Sequence, residues 1–156
     1  MKKFIVFFLS ISVLFGYYEK MCEIIPDKID AFKKEGRCEG MDIKTNEISS
    51  SQAVKYFVKD DKNLKIHLLT GTFAMEASAP VMMNMQMETN DVIIETALFE
   101  GYKTMMTYQK PDKSGNFIII LKPSYVMVVE FENITPGEVK KIIKNYIDLK
   151  KIEKEL

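Results

Sequence analysis

The feature that most constrains the fold is a series of short segments in which apolar and polar residues alternate, each followed by a turn. In residues 64–68, three aliphatic residues alternate with Lys65 and His67. A period of two is typical of a strand that buries one face. Residues 53–58 have the same character, and the polar run 59–63 separates the two segments. We predict a β-hairpin here.

Four more segments extend the pattern towards the C-terminus, and turn residues such as Gly101 and Pro123 separate them. These segments are residues 92–99, 102–109, 117–121 and 125–131. The third is entirely apolar, which favours a central strand covered on both faces. Together they predict a four-strand antiparallel meander, so the sheet is expected to have about six strands.

A short helix is predicted near the N-terminus. Pro26 suits a first helical turn, Ile29 and Phe32 fall on one face together with Ile25, and Gly36 is a typical stop. These positions predict a helix over about residues 26–35.

A C-terminal helix is indicated by the sequence Thr135-Pro136-Gly137-Glu138, which has the pattern of a capping box. An apolar stripe runs from Val139 to Leu149, with lysines on the other side. We expect this helix to pack on the sheet, which makes the fold class α+β.

Residues 72–88 give mixed signals. Residues 74–79 are helix formers, Pro80 interrupts them, and apolar and polar residues then alternate as far as Glu88. We predict a short helix or turn that leads into extended chain.

The N-terminus has the layout of a signal peptide. Lys2 and Lys3 precede the uncharged run Phe4–Phe15, and Gly16 follows. We therefore expect residues 1–16 to direct export to the periplasm or the extracellular space, and residues 17–156 to form a single domain. Leu14 stands where a small residue is usual before cleavage, so an uncleaved anchor is the alternative.

The two cysteines, Cys22 and Cys38, agree with export. An even pair in an oxidising compartment predicts a structural disulfide. Their separation differs from that of a Cys-x-x-Cys redox pair. Two free or reactive thiols are the alternative.

Net charge argues against nucleic acid as a partner. The chain has 22 basic and 22 acidic residues, and loss of Lys2 and Lys3 with the signal leaves 20 − 22 = −2. Proteins that bind nucleic acid carry a basic excess. Membrane contact is expected only through an uncleaved N-terminal segment.

Catalytic signatures are weak. His67 is the only histidine, and it is expected on the solvent face of its strand beside Lys65. A triad needs a base with an orienting partner, and a zinc site needs several His or Cys ligands. We therefore predict no catalytic residues and no cofactor, and an enzyme of unknown type ranks third among the functions.

Methionine content is high, with five of the 11 methionines between Met75 and Met87. An extended Met83-x-Met85-x-Met87 would place three thioethers on one side of a strand. Thioether sulfur prefers Cu(I), so these three, with Met82 or Met75 as a fourth donor, are a candidate copper site. The favoured interpretation is ordinary core or a flexible apolar binding surface.

The lead hypothesis is a non-enzymatic binding or interaction module of the periplasm or cell envelope. Its partner would be an unidentified envelope protein or an apolar ligand. Cu(I) binding by the methionine cluster is the alternative function.

Overall fold

The computed structural model describes residues 16–156, so the predicted signal peptide, except Gly16, lies outside the described residues. These residues form one eight-stranded sheet, four α-helices and a 3-10 helix. The α-helices are α1 (Tyr17–Ile24), α2 (Thr72–Ser78), α3 (Pro136–Tyr146) and α4 (Leu149–Glu155), and the 3-10 helix is Ala79–Met83. The strands are β1 (Lys33–Lys44), β2 (Ser49–Lys59), β3 (Lys62–Thr70), β4 (Gln86–Glu88), β5 (Val92–Phe99), β6 (Tyr102–Gln109), β7 (Ser114–Lys122) and β8 (Tyr125–Glu132).

The strand order is β1-β2-β3-β8-β7-β6-β5-β4, and every neighbouring pair is antiparallel. The α+β class, the hairpin and the meander are confirmed. The prediction of about six strands is wrong, because β1 and β4 add one strand at each edge. Both are almost entirely exposed, and a strand that buries neither face leaves no apolar alternation in the sequence.

The N-terminal helix is present but was predicted in the wrong place. Helix α1 ends at Ile24, and Ile25 is extended with φ −67° and ψ 122°. Pro26 explains the boundary, since a proline disfavours the helical conformation of the residue before it. Ile25, Ile29 and Phe32 are nevertheless buried as their apolar character predicts, but Ile25 lies in a bend and Ile29 pairs with Phe32 in an isolated β-bridge.

The capping box of the C-terminal helix is confirmed. The hydroxyl of Thr135 accepts a hydrogen bond from the backbone N–H of Glu138, whose carboxylate accepts one from the backbone N–H of Thr135. The single predicted helix is divided, however, because Ile147 is extended and Asp148 caps a new helix, α4. None of the helices within residues 16–156 has the length and apolar character needed to cross a bilayer.

The main core lies between one face of the sheet and helices α1, α3 and α4. Three phenylalanines on three strands, Phe57, Phe117 and Phe131, are at most 2% exposed. The helices contribute Met21, Val139, Ile143 and Ile152, all buried. This face is therefore closed to solvent by helices.

The described residues cover the opposite face of the sheet at one end only. A small second core joins Ala74 of α2 and Val81 of the 3-10 helix to Met105, Ile118 and Val126 of the sheet. Beyond these residues the strands carry partly exposed side chains. We call the whole of this second face of the sheet, covered part included, the open face.

The predicted disulfide is confirmed. Cys22 on α1 is bonded to Cys38 on β1, with the two Cα atoms 5.8 Å apart. The bond fixes the first helix to an edge strand, and closing a loop of this size contributes about 3 kcal/mol in the chain-entropy model. A disulfide is compatible with an exported protein.

A buried lysine holds the segment between α1 and β1 in place. The ammonium of Lys55 on β2 donates to the carbonyl oxygen of Ile25 at 2.6 Å and to Oδ1 of Asp27 at 2.8 Å. Lys34 donates to the same carboxylate oxygen at 2.8 Å. Hydrogen bonds from these two lysines lower the pKa of Asp27 to about 2.

The interaction of Asp27 with the two lysines predicts that the folded domain loses stability in acid. The pKa of Asp27 is below its ordinary value of 3.8 in the folded chain, so its stabilising effect is present above about pH 4 and is lost as the pH falls towards 2. Asp27→Asn should flatten the dependence of the urea midpoint on pH between 5 and 2. Asp112→Asn, at an exposed turn position, is the control. Equal slopes for wild type and Asp27→Asn would contradict the prediction.

Candidate functional site

The segment that contains the five clustered methionines, from Met75 to Met87, begins with a tight turn directly after β3. Gly71 has φ +62°, and a Cβ atom there would collide with the backbone of Ser49. Helix α2 follows, and Pro80 lies in the first turn of the 3-10 helix, where its missing N–H leaves no hydrogen bond unmade. The segment is therefore a short helix that leads into extended chain, as the sequence predicts.

The three candidate copper ligands do not share one strand. Met83 ends the 3-10 helix, and Asn84 is left-handed with φ 46°. The carbonyl oxygen of Met85 accepts hydrogen bonds from the N–H and hydroxyl of Thr96, and only Met87 lies in β4. The continuous extended row expected from the sequence is therefore absent, because the chain turns at Asn84.

Most of these side chains are on the surface. Met75, Met82, Met83 and Met87 are between 42% and 68% exposed, and Leu98 on β5 is 73% exposed. We call these five residues the methionine surface. Of the two roles favoured by the sequence, core or apolar binding surface, the exposure fits the surface.

A shallow cavity lies beside the methionine surface. It has a volume of about 260 Å³, and its lining includes Val81 of the 3-10 helix, Asn84 directly after it, and Leu98, Lys103 and Thr104 on the sheet. The lining is mostly apolar, so this region can accept a small apolar group next to the exposed thioethers.

A polar row crosses the uncovered half of the open face. Strand register places Tyr56, Lys65, Glu130, Asn116 and Thr107 side by side on five neighbouring strands. A groove of about 510 Å³ lies over the first four. Lys65 pairs with Glu130 at 3.2 Å, and Oδ1 of Asn116 is buried without a hydrogen-bond partner.

His67 lies on the open face with Lys65, as predicted, but its side chain is only 23% exposed. Its Nε2 is 3.2 Å from Oε1 of Glu130, at hydrogen-bond distance but without hydrogen-bond alignment. Burial lowers the pKa of His67 below its usual value. Glu130 opposes this effect and Lys65 reinforces it. Burial of this side chain therefore favours the neutral imidazole.

Sequence reasoning missed several members of these surfaces, among them Leu98 and Glu130. Leu98 belongs to the methionine surface although it is far from the methionines in sequence, and only strand order brings it there. Glu130 had a detectable signal, because it is the one charged residue between Tyr125 and Phe131. A charge inside an otherwise apolar strand indicates a partner on a neighbouring strand.

Comparisons of the chain with protein-family models, with curated proteins and with solved structures gave no match.

The pKa of His67 provides a direct test of the geometry on the open face. Glu130→Gln should lower this pKa further, because it removes the one negative charge that favours the imidazolium. Lys65→Met should raise it. Since the chain contains one histidine, an NMR titration of the imidazole C–H signal assigns it without ambiguity. Unchanged pKa values in both variants would contradict the described arrangement.

Proposed function

We propose that this protein is a non-enzymatic binding module of the periplasm or cell envelope, and that its methionine surface binds an apolar partner. The observation that carries the proposal is the exposure of Met75, Met82, Met83 and Leu98 around one end of the open face, with Met87 exposed on the edge strand β4. Grouped exposed apolar side chains are a common feature of interaction sites.

Methionine suits such a surface for a physical reason. Its unbranched side chain has three rotatable bonds and a polarizable sulfur, so it adapts to partners of different shape. The backbone beneath it is firmly held, since Ala74 and Val81 are buried against the sheet. Flexible side chains on a fixed backbone can follow the shape of an apolar ligand while losing little backbone entropy.

Cu(I) binding is the second candidate. Met82, Met83 and Met87 are exposed, so their thioethers are accessible to an ion from solvent, and thioether sulfur is a soft ligand suited to Cu(I). The proposed ligands are Met83, Met85 and Met87, with Met82 or Met75 as a fourth donor. A rearrangement at Asn84 would accompany binding, because the three do not lie in one extended row.

The apolar-partner proposal is tested with the fluorescent probe N-phenyl-1-naphthylamine. A triple variant, Met82→Ser, Met83→Ser and Leu98→Ser, should bind the probe at least about tenfold more weakly. Each buried CH₂ contributes about 0.8 kcal/mol, and a loss of about 1.4 kcal/mol corresponds to a factor of ten.

Tyr146→Ser is the matched control, since Tyr146 is also exposed but lies on α3. Equal probe binding by the triple variant and the control would overturn the proposal. Native mass spectrometry of protein isolated from the envelope is a second measurement, and a ligand-free monomer there would count against it.

The copper candidate is tested by Cu(I) competition with a chromogenic chelator. Met83→Leu, Met85→Leu and Met87→Leu together preserve apolar character and remove the three sulfur ligands. Wild type should withdraw Cu(I) from the chelator, and the triple variant should not. Equal uptake by the two proteins would exclude this site, whatever the outcome of the probe experiment.

A further inference from the structure

We propose that one end of the domain docks on the surface of a lipid bilayer. This end comprises the β1–β2, β5–β6 and β7–β8 turns and the start of α2, and we call it the hairpin end. The inference rests on the proposed function, because it names the bilayer as the apolar partner of the methionine surface.

Hydrogen bonds join the start of α2 to the β7–β8 turn and to the beginning of β2. The N–H of Gly71 donates to the carbonyl oxygen of Ser124 in the β7–β8 turn at 3.2 Å. The N–H of Thr72, the first residue of α2, donates to the hydroxyl of Ser50 at 2.9 Å. One cavity is lined by Met82 of the 3-10 helix, Gly101 of the β5–β6 turn and Ser124. These contacts make the end one continuous surface.

Exposed apolar side chains are concentrated at this end. Nine large apolar side chains of the described residues are exposed, and two of them, Met87 and Tyr146, lie elsewhere. The seven at the hairpin end are Met41, Ile43, Ile48, Met75, Met82, Met83 and Leu98. Three come from the β1–β2 hairpin and extend the methionine surface across the width of the sheet.

The N-terminal segment joins the domain at the same end. The N–H of Tyr18 donates to Oδ1 of Asp42 at 3.0 Å, and Asp42 lies between Met41 and Ile43 on β1. The uncharged run Phe4–Phe15 immediately precedes this point in the sequence. A segment of this kind that enters a bilayer would therefore bring the hairpin end, and not the opposite end, to the membrane surface.

The polar groups at the hairpin end fit a bilayer interface. Tyr125 follows the β7–β8 turn, and the ammonium of Lys122 lies 4.5 Å from the centre of its ring. Tyrosine favours the headgroup region, and the Lys122 ammonium beside it also donates to a backbone carbonyl of α4 at 3.2 Å. Exposed Glu47 in the β1–β2 turn, and Glu100 and Lys103 in or beside the β5–β6 turn, give the end mixed charge, so docking should depend on apolar area and only weakly on salt.

The opposite end of the sheet is different. Among residues 16–156, Tyr146 is the exposed large apolar side chain at this end, and its hydroxyl donates to Asp30 at 3.2 Å, while Met87 is exposed at the β4 edge of the sheet. The β2–β3 turn there carries Asp60 and Asp61. The contrast between the two ends predicts that the domain docks with its hairpin end towards the membrane.

The chain contains no tryptophan, so one introduced tryptophan reports only on its own position. Three full-length variants, Ile48→Trp, Met82→Trp and Tyr146→Trp, are reconstituted in phosphatidylcholine vesicles with or without brominated acyl chains. Residues 4–15 can themselves hold the full chain on the vesicles, so the readout is the depth of each reporter and not binding. Circular dichroism checks that each variant is folded.

We expect emission from the Ile48→Trp and Met82→Trp reporters to shift to shorter wavelength and to be quenched by the brominated lipid. The Tyr146→Trp reporter should keep the emission of a water-exposed tryptophan. Adding Ile43→Ser to Met82→Trp should reduce the quenching, because it removes apolar area from the same surface. Raising the salt concentration should change neither result.

Emission that is unquenched at all three positions in vesicle-bound protein, or equally quenched at all three, would overturn the inference. The proposed function has a separate test. Normal binding of N-phenyl-1-naphthylamine by a protein whose reporters show no oriented docking would reject the bilayer as the partner and leave the apolar binding surface intact. Loss of both probe binding and oriented docking would reject the proposed function together with the docking inference.

Discussion

The pairing of β3 with β8 is the interaction on which the rest of the structure depends. It joins the three strands before α2 to the five strands after it, and its partners are more than fifty residues apart in the chain. Leu64 faces Phe131, Ile66 faces Val129 and Leu68 faces Met127, and all six side chains are buried. Closing so long a loop costs entropy, and burial of these three apolar pairs offsets it.

The joined sheet has two broad faces, and the helices pack on them unequally. Helices α1, α3 and α4 close one face, and the disulfide between Cys22 and Cys38 fixes α1 at the edge. Within residues 16–156, only α2 and the 3-10 helix reach the other face. The consequence is a half-covered open face, with apolar side chains exposed around α2 and polar ones, such as Lys65 and Glu130, beyond it. The methionine surface and the polar row are both exposed because the helices of the described residues cover only part of this face.

The two surfaces differ in how firmly they are held. The polar row is fixed by strand register and by the ion pair between Lys65 and Glu130, and the same register places His67 beside Glu130. The methionine surface has a fixed backbone but free side chains, because Met82 and Met83 point away from the small core formed by Ala74 and Val81. Specific hydrogen bonding belongs to the first surface, and adaptable apolar contact belongs to the second.

Local signals in the sequence determined most of the elements. Alternation located β2, β3 and the meander, the Thr135–Glu138 capping box located α3, and the two cysteines predicted their bond. Each of these depends on neighbouring residues or on simple pairing. Edge strand β1 escaped because an exposed strand needs no apolar alternation, and the first helix was misplaced because the apolar positions near Pro26 are buried by turns.

Tertiary structure alone decided the candidate surfaces. The sequence showed that methionines cluster between Met75 and Met87, but not whether they are buried. That depends on how much of the sheet α2 can cover, which in turn depends on the order of eight strands. Leu98 joins Met83, and His67 meets Glu130, only because β3, β8 and β5 occupy particular places in that order. Strand order is set by contacts between distant residues, and no local pattern encodes it.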